Sequence, residues 1–280
     1  VAAILCLFLH TIQAEFTPHF RKFLTENYGA KMATDLERKD LGRDASLGGK
    51  LNATDDDPTR QAVIFVHGMS DKISRFARMF EFLKSKGYAS NTIYGSTWGD
   101  GGKTPVGLIE LKCEYIKQIR AMIIAVHEYT GDKVDILAFS MGSPLTRKAI
   151  LGGECVDTKE PLGPPLTAMI DTYVSTAGSN YGSAKCNKPL PVGTCNMLNG
   201  LNCKSAYLQD LNKEKGFEGS FVFSIFSSTD VQLGTNSCGE LASPIRGGTG
   251  FVEKKGLNHK QTMDKTRTIQ YNFITKHLPK

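Results

Sequence analysis

The sequence has no apolar run long enough to cross a lipid bilayer, no dense block of basic residues and no internal repeat. A transmembrane helix needs about 20 consecutive apolar residues, so a polytopic membrane protein is excluded. The 34 Lys and Arg residues outnumber the 28 Asp and Glu residues only slightly, for a net charge of +6 over 280 residues. Because nucleic-acid-binding domains concentrate basic residues in patches, this distribution argues against a nucleic-acid partner.

Metal-binding patterns are also missing. The chain contains no CxxC motif and no closely spaced pair of His residues, which are the spacings that hold zinc. The sequence therefore predicts neither a metal nor an organic cofactor. The composition, with 40% hydrophobic and 22% charged residues, is ordinary for a globular protein and excludes a disordered or collagen-like chain.

The start of the chain has the pattern of a secretory signal peptide. Residues 1–12 are apolar apart from His10 and Thr11, and Ala14 offers a small residue for cleavage. This pattern predicts a signal peptide over residues 1–14 that is truncated at its start, since the initiating Met and the basic residues are missing. A buried first helix is the alternative interpretation.

Cysteine usage and a glycosylation sequon also indicate export. Cys6 lies in the apolar run, and the other six cysteines form an even set: Cys113, Cys155, Cys186, Cys195, Cys203 and Cys238. An even set in a secreted chain predicts three disulfides, with a connectivity that the sequence leaves open. Asn52 begins an Asn-Ala-Thr sequon in a polar stretch and is a candidate glycosylation site. The features together predict a secreted, extracellular protein.

The rest of the chain divides into two parts. Residues 15–61 begin with a helix that Thr17-Pro18 can start and Gly29 can end, and they continue as a polar segment expected to wrap the surface. Over residues 62–280, strands and helices alternate, which predicts an α/β domain with a mostly parallel sheet and helices on both faces. Residues 181–219 interrupt this alternation and are interpreted as an irregular, cysteine-rich excursion. Strands are predicted at 63–66, 92–98, 134–139, 169–175 and 221–227. Helices are predicted at 76–83 (with Gly87 as the stop), 104–129, 144–151 and 261–277.

The strongest chemical signal lies where the predicted strand 134–139 meets Ser140-Met141-Gly142 and a helix. A buried strand, a sharp turn with small residues two before and two after a Ser, and a helix make up a nucleophile elbow. Ala138 and Gly142 supply the small side chains, and the helix N-terminus favours developing negative charge. The pattern predicts Ser140 as a catalytic nucleophile; the alternative is an ordinary strand–turn–helix.

A nucleophilic Ser needs a His base oriented by an acid, and in the fold that carries such elbows both follow the Ser along the chain. Only His259 and His277 follow Ser140. His277 lies at the end of the last helix, so His259, at its start, is the predicted base. Asp230 is the predicted acid because it follows the strand 221–227, at the sheet edge expected to hold Ser140. The other acids considered are Asp157, Asp171, Asp210 and Glu240.

Backbone N–H groups are expected to stabilise the oxyanion that forms during acyl transfer. The N–H of Met141, directly after the nucleophile, is one predicted donor, and that of Met69, in the loop after the first buried strand, is the other. His67 precedes this loop and is expected to hold it by hydrogen bonds. Trp98 and Phe139 are candidates for lining the substrate pocket, although a core position explains Trp98 equally well.

These motifs resemble those of the class 2 lipases, a family of secreted α/β-hydrolases. The resemblance covers about residues 62–280, and the six cysteines are similar to those of the family's nematode branch. It implies an α/β-hydrolase fold and hydrolysis of carboxylic esters, with acylglycerols as the expected substrates. The matching segments are Val66-His67-Gly68-Met69, Thr97-Trp98-Gly99, residues 138–144, residues 147–153 and Asn258-His259.

The resulting hypothesis is a secreted, monomeric serine esterase or lipase that acts on a lipid or ester substrate, at a lipid–water interface, through an acyl-enzyme. Two alternatives stay open. The same three residues can serve a phospholipase, a thioesterase or an acyltransferase. The same fold can also serve a secreted binding protein without turnover.

Overall fold

The computed structural model describes residues 15–278 of the chain. The predicted signal peptide and Cys6 lie outside the described residues. The helices are Pro18–Glu37 (α1), Ala77–Lys84 (α2), Cys113–Thr130 (α3), Gly142–Leu151 (α4), Ala206–Leu211 (α5), His259–Lys265 (α6) and Arg267–Lys276 (α7). The strands are Ser46–Leu47 (β1), Ala62–Val66 (β2), Ile93–Ser96 (β3), Val134–Phe139 (β4), Gly153–Glu154 (β5), Pro161–Gly163 (β6), Ile170–Thr176 (β7), Phe221–Phe226 (β8), Asn236–Ser237 (β9), Glu240–Leu241 (β10) and Gly250–Glu253 (β11).

Seven strands form one sheet in the order β1-β3-β2-β4-β7-β8-β11. Neighbouring strands are parallel, except that β1 runs antiparallel to β3. Helices α1, α3, α4 and α5 pack on one face, and α2, α6 and α7 pack on the other. The predicted α/β fold, a mostly parallel sheet with helices on both faces, is therefore confirmed.

The central strands are buried on both faces, which explains their uninterrupted apolar sequences. In β2, for example, Ile64 and Val66 pack in the core under α1 and α3, whereas Val63 and Phe65 pack in the core under α2 and α7. The six parallel strands end at one common edge, which we term the carboxyl edge. The loops after β2, β4 and β8 therefore meet there, as open parallel sheets require.

The N-terminal helix extends further than the sequence pattern predicts. Thr17 caps it as expected, because its side chain accepts the Phe20 N–H at 3.2 Å. At Gly29 the backbone leaves helical geometry, with φ of +86°, but the helix then resumes and continues to Glu37. It resumes because Leu36 returns to the same core as Phe20. Part of the segment expected to be a polar wrap is therefore helical.

Helix α3 begins later than its predicted start at residue 104. Residues 104–112 contain only a short 3-10 turn, Val106–Leu108. The Cys113 N–H donates to Asp157 Oδ2 at 3.0 Å, so a carboxylate distant in sequence satisfies a free N–H at the helix start. Local sequence patterns could not reveal this cap.

Two further differences lie near the end of the chain. Strand β11, which the patterns did not predict, adds to the sheet edge beside β8; it is half exposed, so it lacks a continuous apolar run. The predicted helix 261–277 is two helices that divide at Thr266. Residues 181–219 are irregular apart from α5 and two short 3-10 turns.

The described cysteines pair as Cys113–Cys155, Cys186–Cys195 and Cys203–Cys238, which confirms three disulfides.

The only group of three potential metal ligands found among residues 15–278 is Cys113, Cys155 and Asp157, and its cysteines form a disulfide and offer no thiolate. No helix in the described part of the chain is both long and apolar enough to cross a membrane.

Candidate active site

Ser140 occupies a strained turn between β4 and α4. Its φ is +55°, a left-handed conformation that costs a non-glycine residue on the order of 1–3 kcal/mol. Hydrogen bonds on both sides impose it: the Ser140 N–H donates to the Thr176 carbonyl at 3.0 Å, and the Ser140 carbonyl accepts the Ser143 N–H at 3.1 Å and the Ser179 N–H at 3.3 Å. The turn has the geometry that a nucleophile elbow requires.

Two glycines permit the close packing around this turn. A β-carbon on Gly142 would lie 2.8 Å from the Val66 carbonyl oxygen and would overlap the carbonyl of His67. A β-carbon on Gly68 would lie 2.9 Å from the β-carbon of Ser140. The small residue two positions after Ser140 is therefore needed because α4 starts against the backbone that leaves β2.

His259 joins Ser140 to Asp230. Its Nε2 lies 2.8 Å from Ser140 Oγ, and its Nδ1 lies 2.6 Å from Asp230 Oδ2. All three residues are buried, and Ser140 keeps 8% of its surface exposed. A capping box fixes the start of α6, because Asn258 Oδ1 accepts the Gln261 N–H at 2.9 Å and Gln261 Oε1 accepts the Asn258 N–H at 3.1 Å. His259 is the first residue of that helix.

Asp230 is held as a carboxylate. Burial acts to raise the pKa of Asp230, but the hydrogen bond and charge of His259, with two backbone N–H groups, hold it below its ordinary value. Those N–H groups belong to Gln232 and Leu233, which donate to Asp230 Oδ1 at 2.9 and 3.2 Å. The ionised carboxylate accepts the Nδ1–H of His259, which leaves Nε2 free to accept a proton from Ser140.

The other candidate acids and His277 lie elsewhere. None of the four acids is hydrogen-bonded to His259 within the described residues, and each has a different partner. Asp171 pairs with His277 at 3.0 Å, Asp157 accepts the Cys113 N–H at 3.0 Å, Asp210 pairs with Lys148 at 2.6 Å, and Glu240 pairs with Arg246 at 2.8 Å.

Met69 and Met141 belong to the two backbone segments that meet at Ser140. Met141 directly follows Ser140, and Met69 follows Gly68, which lies against the Ser140 side chain. Among the residues that the structure describes, neither N–H donates to another protein group. Two free N–H groups next to a serine hydroxyl are the arrangement that an oxyanion would need if Ser140 attacked a carbonyl.

His67 and Trp98 lock the loop that carries Met69. The Trp98 N–H donates to His67 Nε2 at 3.0 Å, so His67 carries its proton on Nδ1, 2.7 Å from the Gly68 carbonyl. The Trp98 indole N–H donates to the His67 carbonyl at 2.8 Å, and the two rings stack with centroids 5.0 Å apart. Burial lowers the pKa of His67 to about 4, so its imidazole is neutral at pH 7.

The two candidate pocket residues are both buried. Trp98 is 3% exposed and packs in the core beneath α3. The ring centroid of Phe139 lies 4.9 Å from that of His259, so Phe139 packs against the imidazole. Contact of either residue with a substrate stays a prediction.

A buried polar network that was not predicted from the sequence lies behind the elbow. Ser143 Oγ lies 2.8 Å from Tyr173 OH, 2.7 Å from Ser175 Oγ and 2.8 Å from Asn180 Oδ1, and these four side chains are fully buried. Only the positions of these residues could have indicated the network. Ser143 is one helical turn after Ser140, and Tyr173 and Ser175 are two residues apart in β7, so both lie on the face that meets α4.

The mostly parallel sheet, with helices on both faces and an elbow serine at its carboxyl edge, defines an α/β-hydrolase. The sequence profile of the family described as Lipase (class 2) matches residues 60–272. The chain belongs to the class 2 lipase family and is a carboxylic ester hydrolase.

Solved structures with the same fold include the mature Bacillus licheniformis lipase BlEst2, which is 9% identical, has a TM-score of 0.52 and aligns over 79% of this chain and 94% of that chain. A structure reported for the metagenome-derived lipolytic enzymes LipS and LipT is 13% identical, with a TM-score of 0.50 over 83% and 96% of the two chains. Aspergillus fumigatus lipase B is 14% identical, with a TM-score of 0.49 over 76% of this chain; the alignment spans about half of that lipase (48%). At these identities the likeness to the first two structures shows the fold alone. No curated protein matches the sequence.

Proposed function

We propose that the protein is a secreted, monomeric serine hydrolase that cleaves acylglycerol esters through an acyl-enzyme. The observation that carries the proposal is the continuous hydrogen-bonded path from Ser140 Oγ through His259 to Asp230, with distances of 2.8 and 2.6 Å. Membership of the class 2 lipase family supports acylglycerols as the substrates.

In the proposed reaction, Ser140 Oγ attacks the ester carbonyl carbon while His259 Nε2 takes the hydroxyl proton. Asp230 stabilises the imidazolium that forms, and the N–H groups of Met69 and Met141 donate to the oxyanion. His259 then protonates the leaving alkoxide oxygen, which leaves the acyl group on Ser140. A water molecule, deprotonated by His259, attacks the acyl-enzyme, releases the fatty acid and restores Ser140.

Secretion is supported by features away from the site. Three disulfides are typical of oxidising compartments, and Asn52 is exposed in a turn with Thr54, as a glycosylation site must be. We propose that residues 1–14 are a signal peptide. In the mature protein, residues 15–61 would form an N-terminal extension on a catalytic domain, residues 62–280, with residues 181–219 as an excursion from it.

Labelling with a fluorophosphonate tests the nucleophile. The folded, oxidised protein is expected to form an adduct on Ser140 that peptide mass spectrometry locates, and heat-denatured protein is expected to form none.

Ser140→Ala should lose the adduct and lower ester turnover by several orders of magnitude. Asp230→Asn should lower kcat by about 10⁴-fold, because an amide favours the wrong tautomer of His259. Normal ester turnover by Ser140→Ala, or an adduct on a different residue, would contradict the proposal.

Substrate comparison tests the ester class. Emulsified triacylglycerol, phospholipid vesicles and an acyl thioester are given to the same preparation at matched acyl-chain length. We expect the triacylglycerol to be hydrolysed fastest. Faster release of fatty acid from phospholipid or thioester would assign the site to one of the alternatives that the sequence leaves open.

A further inference from the structure

Large apolar side chains are exposed on two segments at the carboxyl edge. Soluble proteins rarely expose contiguous apolar surface without a binding function. Each of these side chains is between 43% and 63% exposed. They form a surface that we term the apolar patch: Val106, Leu108, Leu190, Val192, Met197 and Leu198.

The two segments of the apolar patch are bonded to each other. Thr194 Oγ1, between Val192 and Met197, donates to the Ile109 carbonyl at 2.7 Å. The Gly193 N–H donates to Glu110 Oε1 at 3.1 Å, and the Leu111 N–H donates to the Asn199 carbonyl at 2.8 Å. Residues 106–108 and 190–198 therefore present one surface.

The apolar patch has a rigid support. The Cys186–Cys195 disulfide closes the segment that carries Leu190. Buried Asn196 accepts the Leu198 N–H at 2.7 Å, and buried Asn202 donates to the Cys186 carbonyl at 2.6 Å. The backbone polar groups are thus satisfied by buried side chains while the apolar side chains point outward, so the exposure belongs to the folded state.

The chain that leads into the apolar patch contacts the loop of the candidate acid. Its segments follow β3 and β7, whose ends lie at the same sheet edge as Ser140. Just before Leu190 in the chain, Ser183 Oγ and the Ala184 N–H both donate to the Leu233 carbonyl at 3.0 Å. The Leu233 N–H in turn donates to Asp230 Oδ1 at 3.2 Å. The segment that leads into the apolar patch is therefore hydrogen-bonded to the loop that holds Asp230.

The segment that carries most of the apolar patch is basic, although the carboxylate of Glu110 also lies beside the apolar patch, where it accepts the Gly193 N–H. Residues 177–209 contain Lys185, Lys188 and Lys204 but no Asp or Glu. All three Lys side chains are exposed. Basic side chains that flank exposed apolar ones are the combination that binds the surface of a membrane containing anionic lipids.

We propose that the apolar patch, with Lys185 and Lys188, is a preformed docking surface for a lipid–water interface that contains anionic lipids. The apolar side chains would enter the acyl boundary while the Lys side chains contact the anionic headgroups. Docking in this way brings the Ser140 site to the interface. The purpose of the surface rests on the proposed function, but the binding itself requires no turnover.

Vesicle flotation tests the surface directly. The oxidised Ser140→Ala protein, which cannot degrade lipid, is mixed with phosphatidylcholine vesicles made with and without phosphatidylglycerol. We expect tighter binding to the vesicles with phosphatidylglycerol. Leu190→Ser together with Val192→Ser should weaken binding at least about tenfold, and Lys185→Gln or Lys188→Gln should each weaken it about fivefold and reduce the preference for phosphatidylglycerol.

Matched control variants lie at the opposite end of the strands. Leu51 is 69% exposed and its N–H donates to Asp55, which binds Asn91 near the start of β3. Lys133 directly precedes β4. Leu51→Ser and Lys133→Gln are expected to bind vesicles as the Ser140→Ala parent does.

Three outcomes would overturn the proposal: unchanged binding by the Leu190→Ser, Val192→Ser variant, equal binding to both kinds of vesicle, or a dimer in sedimentation equilibrium that this variant dissociates. With Ser140 intact, the same variant should hydrolyse a soluble short-chain ester normally, which shows that it is folded. If the wild-type protein hydrolyses no ester while Ser140→Ala still binds vesicles, the proposed function fails and the docking surface stands.

Discussion

His67 and His259 lie on either side of the elbow and have opposite surroundings. His259 contacts a carboxylate and a hydroxyl, which are the partners that the proposed base requires. His67 contacts a backbone carbonyl and a backbone N–H, and no carboxylate among residues 15–278 is paired with its buried ring. The order of residues along the chain predicted His259 as the base and His67 as a residue that holds its loop. These contacts give the physical reason for the two different roles.

His67 should make folding stability depend on pH. Its pKa falls from 6.5 to about 4 on folding, so the stability it contributes is complete above pH 6.5 and is lost as the pH falls to 4. The loss can reach about 3 kcal/mol. The Gln side chain of His67→Gln cannot titrate. The wild-type protein should therefore lose about 3 kcal/mol of its free energy of unfolding relative to His67→Gln as the pH falls from 6.5 to 4. Urea unfolding at a series of pH values measures it, and a constant difference would contradict the prediction.

Among the secondary-structure elements, the strands were easier to predict than the helix ends. Strands β2, β4, β7 and β8 were anticipated because burial on both faces produces continuous apolar runs. The start of α3 was placed too early because Asp157, which meets its first N–H, is distant in sequence. Strand β11 was missed because a half-exposed edge strand has no such run.

The contact between α4 and the end of β2 should tolerate no side chain at Gly142. In Gly142→Ala the new β-carbon would collide with two backbone carbonyls, which cannot rotate away. We expect a loss of about 2–4 kcal/mol of folding stability and at least a tenfold loss of ester turnover, because α4 carries the elbow. Gly107→Ala is the matched control, since its β-carbon would meet nothing within 4 Å. Equal unfolding midpoints for the two variants in urea would refute the steric explanation.

Across the whole molecule, two cores on opposite faces of one sheet hold the elements together, and disulfides add long-range links. Cys113–Cys155 joins the start of α3 to the segment after α4, with a sequence separation of 42 residues. Cys186–Cys195 closes a separation of only 9 residues within the excursion. The first disulfide therefore restrains the unfolded chain more than the second.

Removal of these disulfides should follow that order. Cys113→Ala with Cys155→Ala should lower the free energy of unfolding by about 4 kcal/mol, and Cys186→Ala with Cys195→Ala by about 2.5 kcal/mol, from the loss of loop-closure restraint. Denaturant unfolding of the oxidised variants measures both values. A larger loss from the shorter loop would show that native-state packing, and not loop closure, dominates.

Much of the candidate site could be predicted because its signals are local or depend on chain order. Ser140 lies in a strand–turn–helix pattern, and His259 and Asp230 follow it in the expected order and at the ends of recognisable elements. The network of Ser143 and Asn180 could not be predicted, since a buried Ser or Asn differs from a surface one only in its contacts.

Periodicity, short motifs and residue counts are local properties of the chain, so they were enough to predict the α/β class, the class 2 lipase resemblance, the elbow and three disulfides. Four features became known from the folded chain alone: the disulfide connectivity, the start of α3, the partners of each candidate acid and the joining of residues 106–108 and 190–198 into one apolar patch. These features depend on contacts between residues far apart in the chain, and local patterns carry no information about which distant partners meet.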